Sequence, residues 1–359
     1  MKIFIVQSNL GNGGAERVGI VLAEGLTSFG HDVTILTDLN SNNLYHIDER
    51  VEVKDMVKNC KNKITKWIRA IQYIRRQAEI DKPDVIIGIM QLCAFISKIA
   101  TVGIKIPIIM SEHDSFVRPQ SDPLTIWEKF SKYILDRIYE SVTVLTDADK
   151  KYASWLHNTV VIPNPVTFSA YTGVIEKKKK IVAAGRLESW NTKGFDILIK
   201  AWGKISKKYP EWRVEIVGKT TPDSLLFLKK ISIDYGCSDS ISFLGFRTDI
   251  EYIYREAAIF ILSSRREGLP MVLLEAMSQG CACIATDNLG RTAEIIQNPS
   301  QGLICRSEDI EDMASSLSKM IEDENYRRMV SKEGMERIAY YSIPRIVTLW
   351  IDLIQKIRL

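Results

Sequence analysis

The 359 residues exceed what one hydrophobic core usually serves, so two domains are expected and a small disulfide- or metal-stapled module is excluded. With 46% hydrophobic and 26% charged residues, the composition is that of a packed globular protein rather than a disordered or fibrous one. A formal net charge of +4 gives no ground for a nucleic-acid partner, and none is expected.

Residues 1–6 carry one basic side chain and no long apolar run, so no signal peptide is expected, and no stretch approaches the ~18 apolar residues of a spanning helix. Apolar runs follow at residues 3–7, 33–37, 85–89, 106–110, 142–146, 181–184, 213–217, 241–244, 259–262 and 282–285. Between most of them lie helix-length patterns, such as 15–29, 64–78, 127–139, 195–207 and 270–279. Continuous apolar strands alternating with helices mean parallel sheets covered on both sides, and ten strands are too many for one such sheet. The break is expected after Ile162-Pro163-Asn164-Pro165-Val166, where a strandless stretch and the run Lys177-Lys178-Lys179-Lys180 precede the next alternation. Two doubly wound α/β domains result, 1–165 and 166–343. A last helix, about 344–359, carries Ile346, Leu349, Trp350, Leu353 and Ile357 at helical spacing and is expected to return to the first domain. The six cysteines (Cys60, Cys93, Cys237, Cys281, Cys283, Cys305) lack metal or redox spacing and are expected as reduced thiols in a cytoplasmic protein.

In open parallel sheets ligands sit beyond the carboxyl ends of the strands. After the first strand comes Gly11-Asn12-Gly13-Gly14-Ala15-Glu16, a glycine turn opening a helix, where backbone N–H groups favour a phosphate. A dinucleotide fingerprint would need glycine at position 16, although Asp38 lies near the distance of a ribose-binding acid and keeps a nicotinamide oxidoreductase as one alternative. After the first strand of the second half come Gly185-Arg186-Leu187 and then Lys193-Gly194, two cations suited to a diphosphate or simply to solvent. The segment Arg266-Glu267-Gly268-Leu269-Pro270-Met271-Val272-Leu273-Leu274-Glu275-Ala276 places Glu267 in a loop and Glu275 inside a helix that Pro270 starts. Paired carboxylates that accept hydrogen bonds from hydroxyls suit a sugar nucleotide, and Gly268 lets backbone approach closely. A charge near a helix N-terminus accounts for Glu267 alone but leaves Glu275 unexplained in an apolar stretch. Asp147-Ala148-Asp149 could hold a metal, but Thr146 three residues before Asp149 favours a helix start, and no other metal-ligand cluster is visible.

Glu267 and Glu275, with seven residues between them, resemble the E-x7-E motif of the family 4 retaining glycosyltransferases of bacterial surface-glycan type. Gly13-Gly14-Ala15-Glu16-Arg17, Glu112-His113-Asp114, Ile162-Pro163-Asn164-Pro165-Val166, Gly185-Arg186-Leu187 with Lys193-Gly194, and Phe243-Leu244-Gly245-Phe246-Arg247 fall in that family's order. The resemblance spans essentially the whole chain. It implies a GT-B fold, two facing Rossmann-like domains with an interdomain cleft, the nucleotide sugar mainly on the second domain and the acceptor on the first. It implies that Glu275 holds the ribose, Glu267 the donor sugar hydroxyls, and Arg186 and Lys193 the diphosphate. Gly13 and Gly14 would add a phosphate contact, and His113 would touch the sugar near the reacting carbon. Gly218, Gly268, Leu269, Phe246 and Arg247 complete the expected nucleotide-sugar set, with His113, Glu267, Arg186 and Lys193 as the catalytic group. No metal or other cofactor is expected. The donor is expected to be a UDP sugar before a GDP sugar, and the product to retain anomeric configuration.

Between residues 56 and 78 seven basic side chains (Lys58, Lys61, Lys63, Lys66, Arg69, Arg75, Arg76) occur with no acidic one. On a helical projection Ile64, Trp67, Ile68, Ile71 and Ile74 share one stripe, expected to pack inward, while Lys66, Arg69, Tyr73 and Arg76 lie opposite. That basic side is either solvated or meets anionic lipid or the diphosphate of a polyprenyl-linked glycan acceptor. The overall expectation is a cytoplasmic enzyme, peripheral on the inner face of the plasma membrane, that transfers a hexose or N-acetylhexosamine in surface-glycan assembly. A sugar-nucleotide epimerase, a phosphorylase and a non-catalytic sugar-nucleotide-binding protein are the remaining alternatives.

Overall fold

Every apolar run forms a strand, and the strands assemble into two all-parallel sheets in the computed structural model, which describes all residues except 12, 41–45, 59, 61, 119–122, 174–175 and 359. Asn12 of the glycine turn and Lys61 of the basic segment therefore lie outside the described residues. The chain divides into two units, Met1–Thr167 with Ser342–Leu359, and Phe168–Tyr341.

In the first unit the elements run β1 (Lys2–Val6), α1 (Gly14–Ser28), β2 (Asp32–Thr37), β3 (Glu52–Asp55), α2 (Lys63–Asp81), β4 (Val85–Ile89), α3 (Met90–Ala100), β5 (Ile108–Ser111), α4 (Ile126–Tyr133), β6 (Ser141–Val144), α5 (Asp147–Tyr152) and β7 (Thr159–Val161). The sheet order is β3-β2-β1-β4-β5-β6-β7. Central β1 sets Ile3, Phe4 and Ile5 against Val33, Thr34 and Ile35 on one side and Val85, Ile86 and Ile87 on the other. Because side chains alternate along a strand, Phe4 and Val6 enter a core with α2, α3 and Phe116, while Ile3 and Ile5 enter the core under α1.

In the second unit β8 (Lys178–Ala184), α6 (Trp190–Lys193), α7 (Phe195–Ile205), β9 (Arg213–Val217), α8 (Pro222–Asp234), β10 (Ile241–Gly245), α9 (Ile250–Glu256), β11 (Ala257–Leu262), α10 (Met271–Ser278), β12 (Ala282–Thr286), α11 (Arg291–Ile295), β13 (Leu303–Cys305), α12 (Ile310–Glu322) and α13 (Glu324–Ile338) follow. Their sheet order is β10-β9-β8-β11-β12-β13. The last helix, α14 (Ile343–Arg358), returns to the first unit, burying Ile346, Val347, Trp350, Leu353 and Ile354 in the α1 core. Gly25 permits this approach, since a Cβ there would lie 2.5 Å from Val347 Cγ2.

Three short strands, β3, β7 and β13, add to the ten expected. All three are sheet edges or lie at the sheet end, with three or four residues each, too short for an apolar run to reveal. The lysine run is corrected from linker to structure. β8 begins at Lys178, which pairs with Glu256, while Lys180 pairs with Glu215 at 2.9 Å. Lys177 donates to the carbonyl oxygens of Tyr254 (3.2 Å) and Gln279 (2.9 Å). The phase of α2 is corrected in part: of the stripe expected inward, Ile71 and Ile74 do pack on the core. Its inner side carries Ala70, Ile74 and Ala78, whose small neighbours let the helix close onto α3, so Ile64 (65% exposed), Trp67 and Ile68 face outward. Lys66 and Tyr73, expected on the solvated side, are instead half-buried: Lys66 pairs with Asp38 at 2.5 Å, and Tyr73 packs on the core. Arg69 and Arg76 remain exposed.

Candidate functional site

The ends of β8, β9, β10 and β11, together with helices α6 and α10, carry the expected residues of the second unit. After β8, Gly185 continues the ladder by donating its N–H to Val217 O (2.9 Å), and Arg186 is exposed at the strand end. Gly218 takes φ +150°, and a Cβ would lie 1.7 Å from Gly185 O, so only glycine lets the two strand ends lie together. Lys193 ends α6, and the chain turns at Gly194 into α7. Phe246 is exposed beyond β10, and Arg247 is engaged by Asp249 through two bonds of 2.8 and 2.6 Å.

After β11 the backbone runs through Ser263, Ser264, Arg265 and Arg266 to Glu267. Lys193 Nζ lies 2.7 Å from Glu267 Oε1, and Ser264 Oγ donates to the same oxygen at 2.6 Å. Ser263 Oγ donates to Lys193 O (2.9 Å), so two adjacent serines tie both partners of the ion pair to the end of one strand. Arg265 braces the loop by donating to both oxygens of Asp196 at 2.8 and 2.9 Å and to Asn191 O at 2.5 Å. Gly268 and buried Leu269 lead to Pro270, the N-cap of α10, and Glu275 on that helix is 3% exposed. The structure thus joins Lys193 to Glu267 and aligns both with Arg186 and Gly218 along one sheet edge. An ammonium has three N–H donors, so Lys193 can bind Glu267 and still donate to an anion.

The other expected residues belong to the first unit. Gly13 is the N-cap of α1, and the Glu16 carboxylate folds back against it, 1.7 Å from where a Cβ would stand. His113 follows β5, its Nε2 3.0 Å from Ser111 Oγ. Burial pushes the His113 pKa down to about 4, outweighing the Asn164 side chain, which raises it, so the ring is neutral at pH 7. The Asn164 of the Pro-Asn-Pro segment is thereby placed beside His113. Asp147-Ala148-Asp149 starts a helix: Thr146 Oγ1 accepts from Asp149 N (3.0 Å), and Asp149 Oδ1 accepts from Phe116 N (3.0 Å). Among the described residues no group of three His, Cys, Asp or Glu is arranged to hold a metal. Asp38, the acid of the dinucleotide alternative, is committed to Lys66 and to Asn40 N (2.9 Å).

Sequence reasoning missed Ser263, Ser264, Arg265 with Asp196, and the Glu112–Lys132 pair. The serines were legible as two hydroxyls directly after an apolar strand. The pairs were not, because their partners stand 69 and 20 residues apart.

Two family models match. Residues 12–169 match Glycosyltransferase Family 4, and residues 168–337 match Glycosyl transferases group 1. An uncharacterized glycosyltransferase of Haemophilus influenzae is 27% identical over 97% of this chain and 98% of its own. A Campylobacter jejuni α-1,4-N-acetyl-D-galactosaminyltransferase, named for a GalNAc-GalNAc-diNAcBac-PP-undecaprenol acceptor, is 25% identical over 100% and 99%. Among solved structures, Anabaena HepE in complex with UDP and glucose has a TM-score of 0.81 at 18% identity, covering 99% of this chain and 100% of that one. With the two models adjoining near Thr167 and together spanning residues 12–337, the chain belongs to glycosyltransferase family 4 and is a glycosyltransferase of GT-B fold.

Proposed function

We propose that this protein is a retaining glycosyltransferase that moves a hexose or N-acetylhexosamine from a UDP sugar to a polyprenyl-diphosphate-linked glycan during surface-glycan assembly. The observation that carries the reading is the edge of the second sheet, where Glu267 is held by Lys193 and Ser264, with Glu275 on the following helix and Arg186 at the neighbouring strand end. The UDP preference is supported by the ligands named for the HepE structure, and the lipid-linked acceptor by the name of the Campylobacter relative.

In this reading Glu275 accepts hydrogen bonds from the ribose hydroxyls, Glu267 from the donor sugar, and Arg186 and Lys193 bind the diphosphate, with Gly14 adding a backbone N–H. Breaking the bond between the anomeric carbon and the phosphate oxygen leaves a nucleoside diphosphate, so the principal requirement is stabilisation of charge developing on that oxygen. Preorganised cations supply it, and no metal is invoked. The acceptor oxygen bonds to the anomeric carbon on the face the phosphate leaves, and the departing phosphate oxygen takes the acceptor proton. Neutral His113 can hydrogen-bond the sugar without adding a charge that would oppose an oxocarbenium-like carbon.

No described helix is long and apolar enough to cross a membrane. Contact with an anionic bilayer on the inner face of the plasma membrane is supported by the outward side of α2, where Ile64, Trp67 and Ile68 stand among Lys63, Arg69 and Arg76. It is further supported by Ile126 (84% exposed) and Trp127 (79%) on α4 of the same unit.

The test is a panel of UDP and GDP sugars with polyprenyl-diphosphate-linked glycans, with and without EDTA, read by mass spectrometry and by the anomeric coupling constant of the product. Transfer from a UDP sugar with retention, unaffected by EDTA, is expected. Transfer only from GDP sugars, inversion, or loss in EDTA would each overturn the corresponding part.

A further inference from the structure

Beneath the loop that carries His113 lies a buried ion pair that the proposed chemistry does not use. Glu112 follows β5 and Lys132 lies on α4, both buried, with Nζ 2.5 Å from Oε2. The other carboxylate oxygen, Oε1, accepts from the backbone N–H groups of His113 (3.1 Å) and Asp114 (3.0 Å). Glu112 N donates to Thr143 O (3.0 Å), so the clamp is itself fixed to β6. Lys132 also lies over the Phe116 ring, 4.6 Å from its centroid, and Phe116 N is tied to Asp149. The loop is thus pinned at both ends around His113.

A second carboxyl, Asp136, lies fully buried one turn beyond Lys132. Burial, reinforced by Glu112, pushes its pKa up to about 8, so it is protonated at pH 7 and does not compete with Glu112 for the Lys132 charge.

Burying two charges costs desolvation, and replacing such a pair with apolar side chains is often neutral or stabilising. An apolar pair would fill the same volume but could not accept the two consecutive N–H groups that orient His113. We infer that Lys132 is a positioning residue: through Glu112 it sets where the His113 ring stands against the donor sugar. The inference rests on the proposed role of His113 at that sugar.

The experiment compares wild type with Lys132→Met, Lys132→Arg, His113→Ala and the double variant Glu112→Met/Lys132→Met. Each is measured for Tm, for kcat and donor KM with the donor that the panel identifies, and for the His113 Hε1–Cε1 resonance in histidine-labelled protein. Lys132→Met strands a buried carboxylate and is expected to lower Tm. The double variant is expected to recover most of that Tm, yet to keep kcat roughly 10- to 100-fold down with donor KM little changed and the His113 resonance displaced. Lys132→Arg, which keeps a charge for Glu112, is expected to recover part of kcat. Recovery of both Tm and kcat in the double variant, or an unmoved His113 resonance, would overturn the inference. If His113→Ala turns over like wild type, the role of His113 in the proposed mechanism fails instead, and the resonance alone still reports whether the pair positions the ring.

Discussion

Glu267 shows how a single carboxylate is held in place by its neighbours: one of its oxygens receives both Lys193 and Ser264. Removing Lys193 therefore removes a cation from the proposed diphosphate site and loosens Glu267 as well. Glu267→Ala and Lys193→Ala are each expected to lower kcat/KM by about 10²- to 10³-fold, the range found for single electrostatic stabilisers. Because the side chains touch, the double variant should fall short of the product of the two losses, and a cycle with strictly multiplicative effects would show that the pair does not act together. Asp136 makes a pH prediction of its own. Its carboxyl has a folded pKa of about 8 against an unfolded value near 3.8, so the folded state binds the extra proton between those limits and its stability falls as pH rises through that window. Asp136→Asn removes that dependence. The variant should gain at least ~2 °C in Tm relative to wild type on going from pH 5 to pH 8, measured by calorimetry, and an identical pH slope in both proteins would refute the assignment.

At the scale of elements, α2 separates what periodicity can and cannot tell. The amphipathic pattern was legible, and the helix forms, but its inner side is set by Ala70, Ile74 and Ala78 rather than by the large stripe of Ile64, Trp67 and Ile68. Close helix packing selects small residues, whereas a hydrophobic projection weights large ones. The outward placement of Trp67 and Ile68 changes the membrane test. Trp67→Ser/Ile68→Ser/Arg69→Ser/Arg76→Ser should leave Tm within about 2 °C, because all four side chains are exposed, and should lose co-sedimentation with anionic vesicles. Equal binding by variant and wild type would sink the membrane contact of α2. Motif loops were read more faithfully than this helix. Pro270 stands directly before α10, one position ahead of the first turn where it was expected, and Thr146 does cap α5; both follow from local rules that need no knowledge of neighbours.

For the molecule as a whole, alternating apolar strands and helices were enough to establish two parallel-sheet units and a final helix that returns to the first, because such strands must be covered on both sides. The order of the motifs carried a resemblance to the family that the two matching family models show, and several of those motifs follow strand ends where ligand loops belong. The sequence by itself also named the candidate residues along the second sheet that the proposal uses: Arg186, Lys193, Glu267 and Glu275. Only the tertiary structure decided how they are held, namely Lys193 on Glu267 across 74 residues, Arg265 on Asp196, and Lys132 on Glu112 under His113. Local propensity and spacing act over one or two turns of chain, while the partners of a buried charge are chosen by packing, and packing joins residues whose separation in sequence carries no signal.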